Sequence, residues 1–400
     1  MCKSKLVIFL CISVITLKSI YSMDTTEAAG RANGLILPDR YNTSLGGYVS
    51  ALPFVTFESI DDLYFSNLIH ARLNLAYYPS DRLSLELAGR LRILTGDQVV
   101  GPQSTLIDFL DDDIGYLNLT RAWQAIVAGN IDRASITYYT PGWRITAGRQ
   151  RINWGTNFVW NPNDWFNAFE YLDFDYEERP GSDALRIQFF TGVLSVLELT
   201  LKAAQQREER TYALMYRFNR RGYDLQFQSG LFGYDAAMGF SWSGSIRGGG
   251  FRGEVSSYYP VLNDDNGITD NLTFVASLSG DYTYESGLYI LGEALYNGYG
   301  NGEFLDTIAL FLRELSAKKL SPAPILLYGS ISYPFNPLVR GTFSVMYNPE
   351  DLSVLTMPSI EWSIVTNIDF LFLAQLYYGN PGDVFGVLPN IFALRFRWSF

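Results

Sequence analysis

The feature that most constrains this chain is an alternation of apolar and polar side chains, residue by residue, repeated along almost its whole length. In "RLSLELAGRLRIL", Leu83, Leu85, Leu87, Leu91 and Ile93 fall on one face, and Arg82, Ser84, Glu86, Arg90 and Arg92 on the other. "LIHARLNLAYY" sets Ala71, Leu73, Leu75 and Tyr77 against His70, Arg72 and Asn74. A period of two is the signature of a strand with one apolar and one polar face. Eighteen such segments are expected, at 46–58, 66–79, 82–95, 131–140, 143–151, 183–192, 194–203, 211–219, 222–232, 234–246, 248–260, 271–285, 287–299, 325–334, 337–348, 353–364, 366–379 and 388–400. Many reach the roughly 9–11 residues that a tilted strand needs to cross a bilayer.

The connections test this pattern independently. After each even-numbered segment the link is tight: "PSD", "TPG", "TG", "NRRG", "SGS", "ESG", "FNP" and "VTN". After the odd-numbered segments the links are mostly longer. Short turns on one side and long loops on the other mark an outer-membrane barrel, and an even count puts both ends of the wall on the periplasmic side. Lipid offers no partner for a backbone amide, so the sheet must close on itself. At about eighteen strands, with sixteen as the smaller alternative, the interior is too wide for side chains alone to fill, and water enters. The expected fold is therefore all-β: a transmembrane antiparallel barrel with short periplasmic turns and long extracellular loops partly folded inward.

Composition removes most other classes. "MCKSKLVIFLCISVITLKSIYS" has Lys3 and Lys5 ahead of an apolar run, Leu6 to Leu17, which reads as a secretory signal peptide cleaved near Ser22. Both cysteines, Cys2 and Cys11, leave with it, so no disulfide or thiol chemistry is expected. A single histidine, His70, makes a zinc site or a Ser-His-Asp triad improbable, and no enzyme, cofactor or metal site is expected. The formal charge is -11, or about -14 once Lys3, Lys5 and Lys18 are removed, which argues against nucleic acid as a partner. No run of 18 apolar residues follows the signal segment, so spanning helices are not expected. The chain divides into a signal peptide (1–22), a periplasmic segment (23–45) that either hangs free or tucks inside, and the barrel (46–400).

Inward-facing charge is where function is sought. By parity the lumen candidates are Arg72, Arg82, Glu86, Arg90, Arg92, Arg186, Arg217, Arg252, Arg340, Arg395 and Arg397, with Lys202 and the acids Glu198, Glu254, Glu293, Glu361 and Asp369. An outward arginine at the bilayer midplane would cost roughly 2–4 kcal/mol, which is why these side chains turn inward. The lumen is net basic although the chain is acidic. The remaining acids gather in two loops, "DFLDDD" (Asp108, Asp111, Asp112, Asp113) and "EYLDFDYEE" (170–178). These read as solvated rims; calcium or lipopolysaccharide bridging is the alternative, although the aspartates lack the alternating spacing of a calcium loop.

The final segment, "NIFALRFRWSF", puts Phe392, Leu394, Phe396, Trp398 and Phe400 toward lipid and Arg395, Arg397 and Ser399 toward the lumen. A terminal Phe preceded by alternate apolar residues resembles the signal that barrel-assembly machinery reads. A second stretch has more individual character. "GRQRINWGTNFVWNPNDWFNAFEY", from Gly148 to Tyr171, shows Gly148, Arg149, Gln150, Ile152, Trp154, Gly155, Asn161, Pro162 and Asp164. It resembles the G-R-Q-x-I-x-W-G…N-P-x-D stretch of alginate-export-like and related porins. That resemblance covers about twenty residues. It implies passive outer-membrane transport, with the loop after this strand helping to form the constriction, and does not identify alginate as cargo.

Parity poses a problem in the same stretch. Trp143, Ile145 and Ala147 look outward, which sends Arg149 and Arg151 toward lipid. A bulge near Gly148 would re-aim both into the lumen; the alternative is that Arg149 stands above the hydrocarbon. The bulge is the expectation, so Arg149 and Arg151 join the lumen candidates. Apolar stripes of helical spacing in 304–315, and Ser104 as a cap for 104–113, suggest short loop helices. The functional expectation is a porin-like channel for passive diffusion of small polar or anionic solutes, as monomer or trimer, with lipid, lipopolysaccharide and the assembly machinery as partners. The competing expectation is a non-conducting surface barrel that adheres or anchors polysaccharide.

Overall fold

The computed structural model describes residues 35–36, 42–58, 61–97, 116–122, 125–167, 181–261, 272–299, 316–386 and 388–400. The signal segment and the loops holding Ser104, Asp108, Asp111, Asp112 and Asp113, Glu170 to Glu178, and 304–315 lie outside the described residues.

Twenty strands are present among these residues. The first half comprises β1 (Leu35–Ile36), β2 (Asn42–Phe57), β3 (Leu63–Ser80), β4 (Leu83–Gly96), β5 (Tyr116–Ala122), β6 (Ala125–Tyr139), β7 (Trp143–Gln150), β8 (Ser182–Gly192), β9 (Ser195–Lys202) and β10 (Thr211–Arg220). The second comprises β11 (Tyr223–Phe232), β12 (Asp235–Ile246), β13 (Gly249–Pro260), β14 (Thr273–Thr283), β15 (Tyr289–Asn297), β16 (Ile325–Asn336), β17 (Val339–Tyr347), β18 (Val354–Val365), β19 (Ile368–Tyr378) and β20 (Asn390–Ser399). Every pairing is antiparallel, and β20 pairs back onto β2, with Tyr48 opposite Ser399 and Phe57 opposite Asn390. Reciprocal 3.0 Å bonds between the backbones of Gly47 and Phe400 finish the seam. Setting aside β1, which rides on β2, and β5, which rides on β6, the closed ring has eighteen strands.

Each of the eighteen expected segments coincides with a ring strand. The first begins at Asn42 rather than 46. Six of the eight expected tight turns fall where they should. "TG" and "SGS" do not: those turns are Val193–Leu194 and Arg247–Gly248. The first has no turn-forming residue at its tip, so Gly192 draws the eye to the strand end instead. In the second, Arg247 and Gly248 both adopt positive φ, 51° and 87°, the two-residue geometry that matches strand twist. On the opposite side, Gly233–Tyr234 joins β11 to β12 as tightly as any turn.

The two faces separate as the alternation requires. Leu73, Leu87, Tyr212, Leu214, Phe227, Leu278 and Phe343 stand exposed on the outer wall, each with 43–51% of its surface accessible. Tyr216, Phe218, Phe227, Phe240, Trp242 and Phe251 form an unbroken chain of ring contacts across the outside of β10–β13. A water-soluble protein rarely exposes an apolar surface of this extent, whereas a hydrocarbon solvent favours it. The inner wall holds His70, Arg72, Asp132, Glu198, Gln226, Glu254, Ser277 and Glu293, all buried.

Candidate functional site

Strand β7 leaves the wall after Gln150, and residues 151–167 cross into the barrel instead of running over its rim. A loop buried in this way must find partners for its backbone amides. Two inward carboxylates supply most of them, and a third holds a loop side chain. Glu254 on β13 accepts from Thr156 N, from Asn157 N at 2.8 Å, from Asn163 N at 2.9 Å and from the Thr156 hydroxyl at 3.0 Å. Glu293 on β15 accepts three successive amides, Phe158, Val159 and Trp160, at 3.2, 3.0 and 2.7 Å. Glu198 on β9 accepts the Trp154 indole N–H at 2.8 Å and is bound by Arg186 at 2.6 and 2.7 Å. Charge-assisted bonds of this kind are about twice as strong as neutral ones. Side-chain amides finish the docking: Gln226 donates to Trp154 O and Gln228 to Asn163 O.

This loop is the "RINWGTNFVWNPNDW" stretch, and its residues now have physical reasons. Gly155 packs against the Asn161 side chain; a Cβ there would lie 2.2 Å from Asn161 Oδ1. Asn163 is clamped by Ser256, whose hydroxyl reaches its Oδ1 at 2.7 Å, and Tyr258 donates to Pro162 O at 3.1 Å. Trp154 meets Phe166 edge-on at 4.7 Å, and Trp165 donates to Ser256 at 3.0 Å. The aromatic residues thus build an internal core and are not left as a sticky surface.

That core fills one side of the lumen. Ile152, Trp154, Val159, Trp160, Trp165 and Phe166 pack on the inward residues of β8 to β18, among them Val196, Met215, Tyr258, Leu295, Tyr328 and Leu355. Two further segments join it: Ala317, Leu320 and Ala323 from one connection, and Val384 and Phe385 from another. Lys318 ties the first to the wall through Asp235 at 2.6 Å, and Asp351 ties the second through Val384 N at 2.7 Å.

The rest of the wall, β19, β20, β2, β3, β4 and β6, adds Tyr377 of β19 to the edge of this core and a small apolar cluster of its own around Leu94 and Ile126, and is otherwise lined by charge. Arg72 and Arg90 both bind Asp132, Arg90 at 3.1 Å. Arg133 donates to the carbonyl of Asp132 at 2.7 Å. Arg397 lies 4.2 Å over the ring of Tyr48, whose hydroxyl is 3.3 Å from His70 Nε2. Arg92 is buried on the same face, and Arg395 is half-buried. The sequence therefore brings Arg72, Arg90, Arg92, Arg395 and Arg397 together on one wall. It does not bring the rest there. Arg186 belongs to the loop dock. Arg252 binds Asp281 at 2.5 Å and covers the Phe158 ring at 4.3 Å. Arg82 is exposed in the β3–β4 turn, Glu86 and Arg217 are exposed on their strands, and Arg151 is exposed at the start of the loop. Arg340, exposed beside the β16–β17 turn, stands apart from Arg72, Arg90 and Arg92 but lines one cavity with Arg395 and Arg397.

The expected bulge near Gly148 is absent. β7 keeps register with both neighbours, Arg149 standing opposite exposed Ala134 and opposite Asp183. Arg149 stays on the outward row, and two bonds to the Asp183 carboxylate, 3.0 and 2.7 Å, neutralise it in place. The register shift lies one strand earlier, where Ala88 of β4 faces Arg133 and the next residue, Gly89, faces Ile131 on β6, which leaves Asp132 as the extra, inward residue. Where β7 departs, Gly181 closes in on β6; a Cβ on it would sit 2.3 Å from Asp132 O. Sequence reasoning missed Asp132, Arg133 and the docking amides Gln226 and Gln228. "NIDRAS", with two adjacent charges breaking the alternation, is the signal that could have found the bulge.

No profile of a known protein family matches the chain, and no curated protein matches its sequence. Solved structures do match its shape. OccAB4 of Acinetobacter baumannii superposes with a TM-score of 0.58 at 7% identity, over 91% of this chain and 100% of that one. OccAB1 of the same organism gives 0.55 at 7% identity, over 92% and 99%. OccD3 (OpdP) of Pseudomonas aeruginosa gives 0.51 at 9%, over 89% and 91%. At such identities the likeness is one of fold alone.

Proposed function

We propose that the protein is an outer-membrane channel for passive diffusion of small polar solutes, with a preference for anions. The observation that carries this is the division of the lumen. An inserted loop and two shorter segments pack the β8–β18 side with apolar core, so the aqueous path is confined to the arginine-lined side. Guanidinium groups along such a path attract carboxylates and phosphates and orient them by paired N–H donors. The apolar outer belt and the closed backbone support a membrane location. The loop motif supports an arrangement like that of alginate-export-like porins, in which the segment after this strand narrows the pore.

A second reading rests on the burial of Arg72, Arg92 and Arg133, which leaves less open lumen beside them than a wide pore has: a non-conducting barrel that presents its rim to polysaccharide. Planar-bilayer recording separates the two. The channel reading expects discrete conductance steps and a salt-gradient reversal potential of anion-selective sign. Arg395→Glu with Arg397→Glu should move that potential toward cations. Purified, folded protein without conductance steps refutes the channel; steps with an unchanged reversal potential refute the role of the arginines.

A further inference from the structure

The lumen acids fall into two kinds. Glu198, Glu254, Glu293, Asp132 and Asp281 each hold structure, bonded to an arginine or to the docked loop. Glu361 and Asp369, like the exposed Glu86 on β4, do not; the first two lie close together. Among the described residues no cation comes within ion-pair distance of either, and Asp369 accepts only the Ser363 hydroxyl, at 2.6 Å. Yet arginines are in register with both. Arg340 stands opposite Glu361, and Asp369 stands opposite Arg397. Glu361 is also opposite Leu371, which is opposite Arg395. One inward row therefore reads Arg340, Glu361, Leu371, Arg395 across β17–β20, and the next reads Ser363, Asp369, Arg397 across β18–β20. These side chains line one cavity of about 410 Å³ beside the β16–β17 turn.

Opposite charges brought into register without closing on each other leave room between them. Neighbouring strands lie about 4.8 Å apart, so Glu361 and Arg395 are separated by about 10 Å at the backbone, with an apolar side chain between. A lone anion would meet the carboxylates as well as the guanidiniums, and a lone cation the reverse. A molecule carrying both charges satisfies both sets at once. Resting on the channel reading above, we infer that this cavity is a subsite for small zwitterions with a short apolar stem. The carboxylate lies on Arg395 and Arg397, the ammonium on Glu361 and Asp369, and the stem over Leu371.

The test uses three probes of similar size: 5-aminopentanoate, pentanoate and pentylammonium. Purified full-length protein in detergent micelles is titrated with each by calorimetry, and the same probes are added to single channels in planar bilayers. The zwitterion is expected to bind at least fivefold more tightly than either singly charged probe and to interrupt the current at lower concentration. Glu361→Gln with Asp369→Asn should remove that preference while pentanoate binding holds or strengthens; the single variants, each at a solvent-accessible position, guard against a folding defect. Equal affinity for pentanoate and 5-aminopentanoate, or a preference unchanged in the double variant, overturns the inference. Calorimetric preference without any conductance would keep the subsite and reject the channel, so the two failures are distinguishable.

Discussion

Removing the Glu254 carboxylate is the sharpest perturbation of the constriction. Glu254→Ala leaves four donors without their acceptor: the amides of Thr156, Asn157 and Asn163 and the Thr156 hydroxyl. A buried donor left unsatisfied costs about 1–3 kcal/mol. Water from the open side of the lumen can replace some bonds, which favours the low end, about 4–6 kcal/mol in all. Glu254→Gln is milder and diagnostic. One oxygen serves Thr156 and Asn157 and the other serves Asn163, so the amide must set an N–H against another donor on one side, costing about 1–3 kcal/mol. The wall does not depend on these bonds, so both variants should keep the barrel, checked by the heat-dependent shift of the folded band on a gel. The loop should loosen in the order wild type, Gln, Ala. Single-channel recording then expects rising mean conductance and open-channel noise in that order, and limited proteolysis expects new cuts within 151–167. Conductance, noise and cutting all equal to wild type in Glu254→Ala would show that apolar packing alone holds the loop.

Other outcomes follow from the same geometry. Glu198→Ala strands Arg186 and the Trp154 indole; breaking a buried ion pair costs about 3–5 kcal/mol, so the midpoint of denaturant unfolding from micelles should fall and the indole emission shift. Arg149→Met leaves Asp183 alone on the outward row and should destabilise, whereas Arg149→Met with Asp183→Leu should recover most of the loss in the same assay. Burial works to raise the Asp351 carboxyl, but bonds from Val384 N and from Ser353 outweigh it and hold the group below its ordinary 3.8. Its folded value lies below the unfolded one, so the contact between its connection and that of Val384 is fully present above 3.8 and is lost as pH falls below. Amide exchange at Val384, corrected for intrinsic rate, should accelerate over that window, and Asp351→Asn should remove the transition.

The wall was legible because each of its strands solves one local problem, an apolar side facing out and a polar side facing in, and Leu83 to Ile93 states that problem in eleven letters. What the sequence hid depends on neighbours far along the chain. Glu198, Glu254 and Glu293 have the parity of pore-lining charges, and nothing local marks them as acceptors for a loop, because most of their donors are backbone amides without a sequence signature. Arg149 was misplaced for a related reason. Its partner Asp183 lies 34 residues away, so parity alone makes an outward arginine look like an error to be repaired by a bulge. The strand β5 was missed because "YLNLTRA" is too short to show a period, and its place on β6 is available only because β7 leaves.

The Glu293 contacts have a consequence for how the molecule is made. The amides of 158–160 reach a carboxylate more than 130 residues later in the chain. Hairpins of the wall can zip between near neighbours, but this docking waits until β13 and β15 have been laid down and curled round. The strap must therefore already lie on the inner side of the growing sheet when β20 meets β2, since a sealed ring offers it no sideways entry. Interior finishing and final closure are then ordered events, and a variant that delays the first should accumulate barrels that are shut but unfurnished.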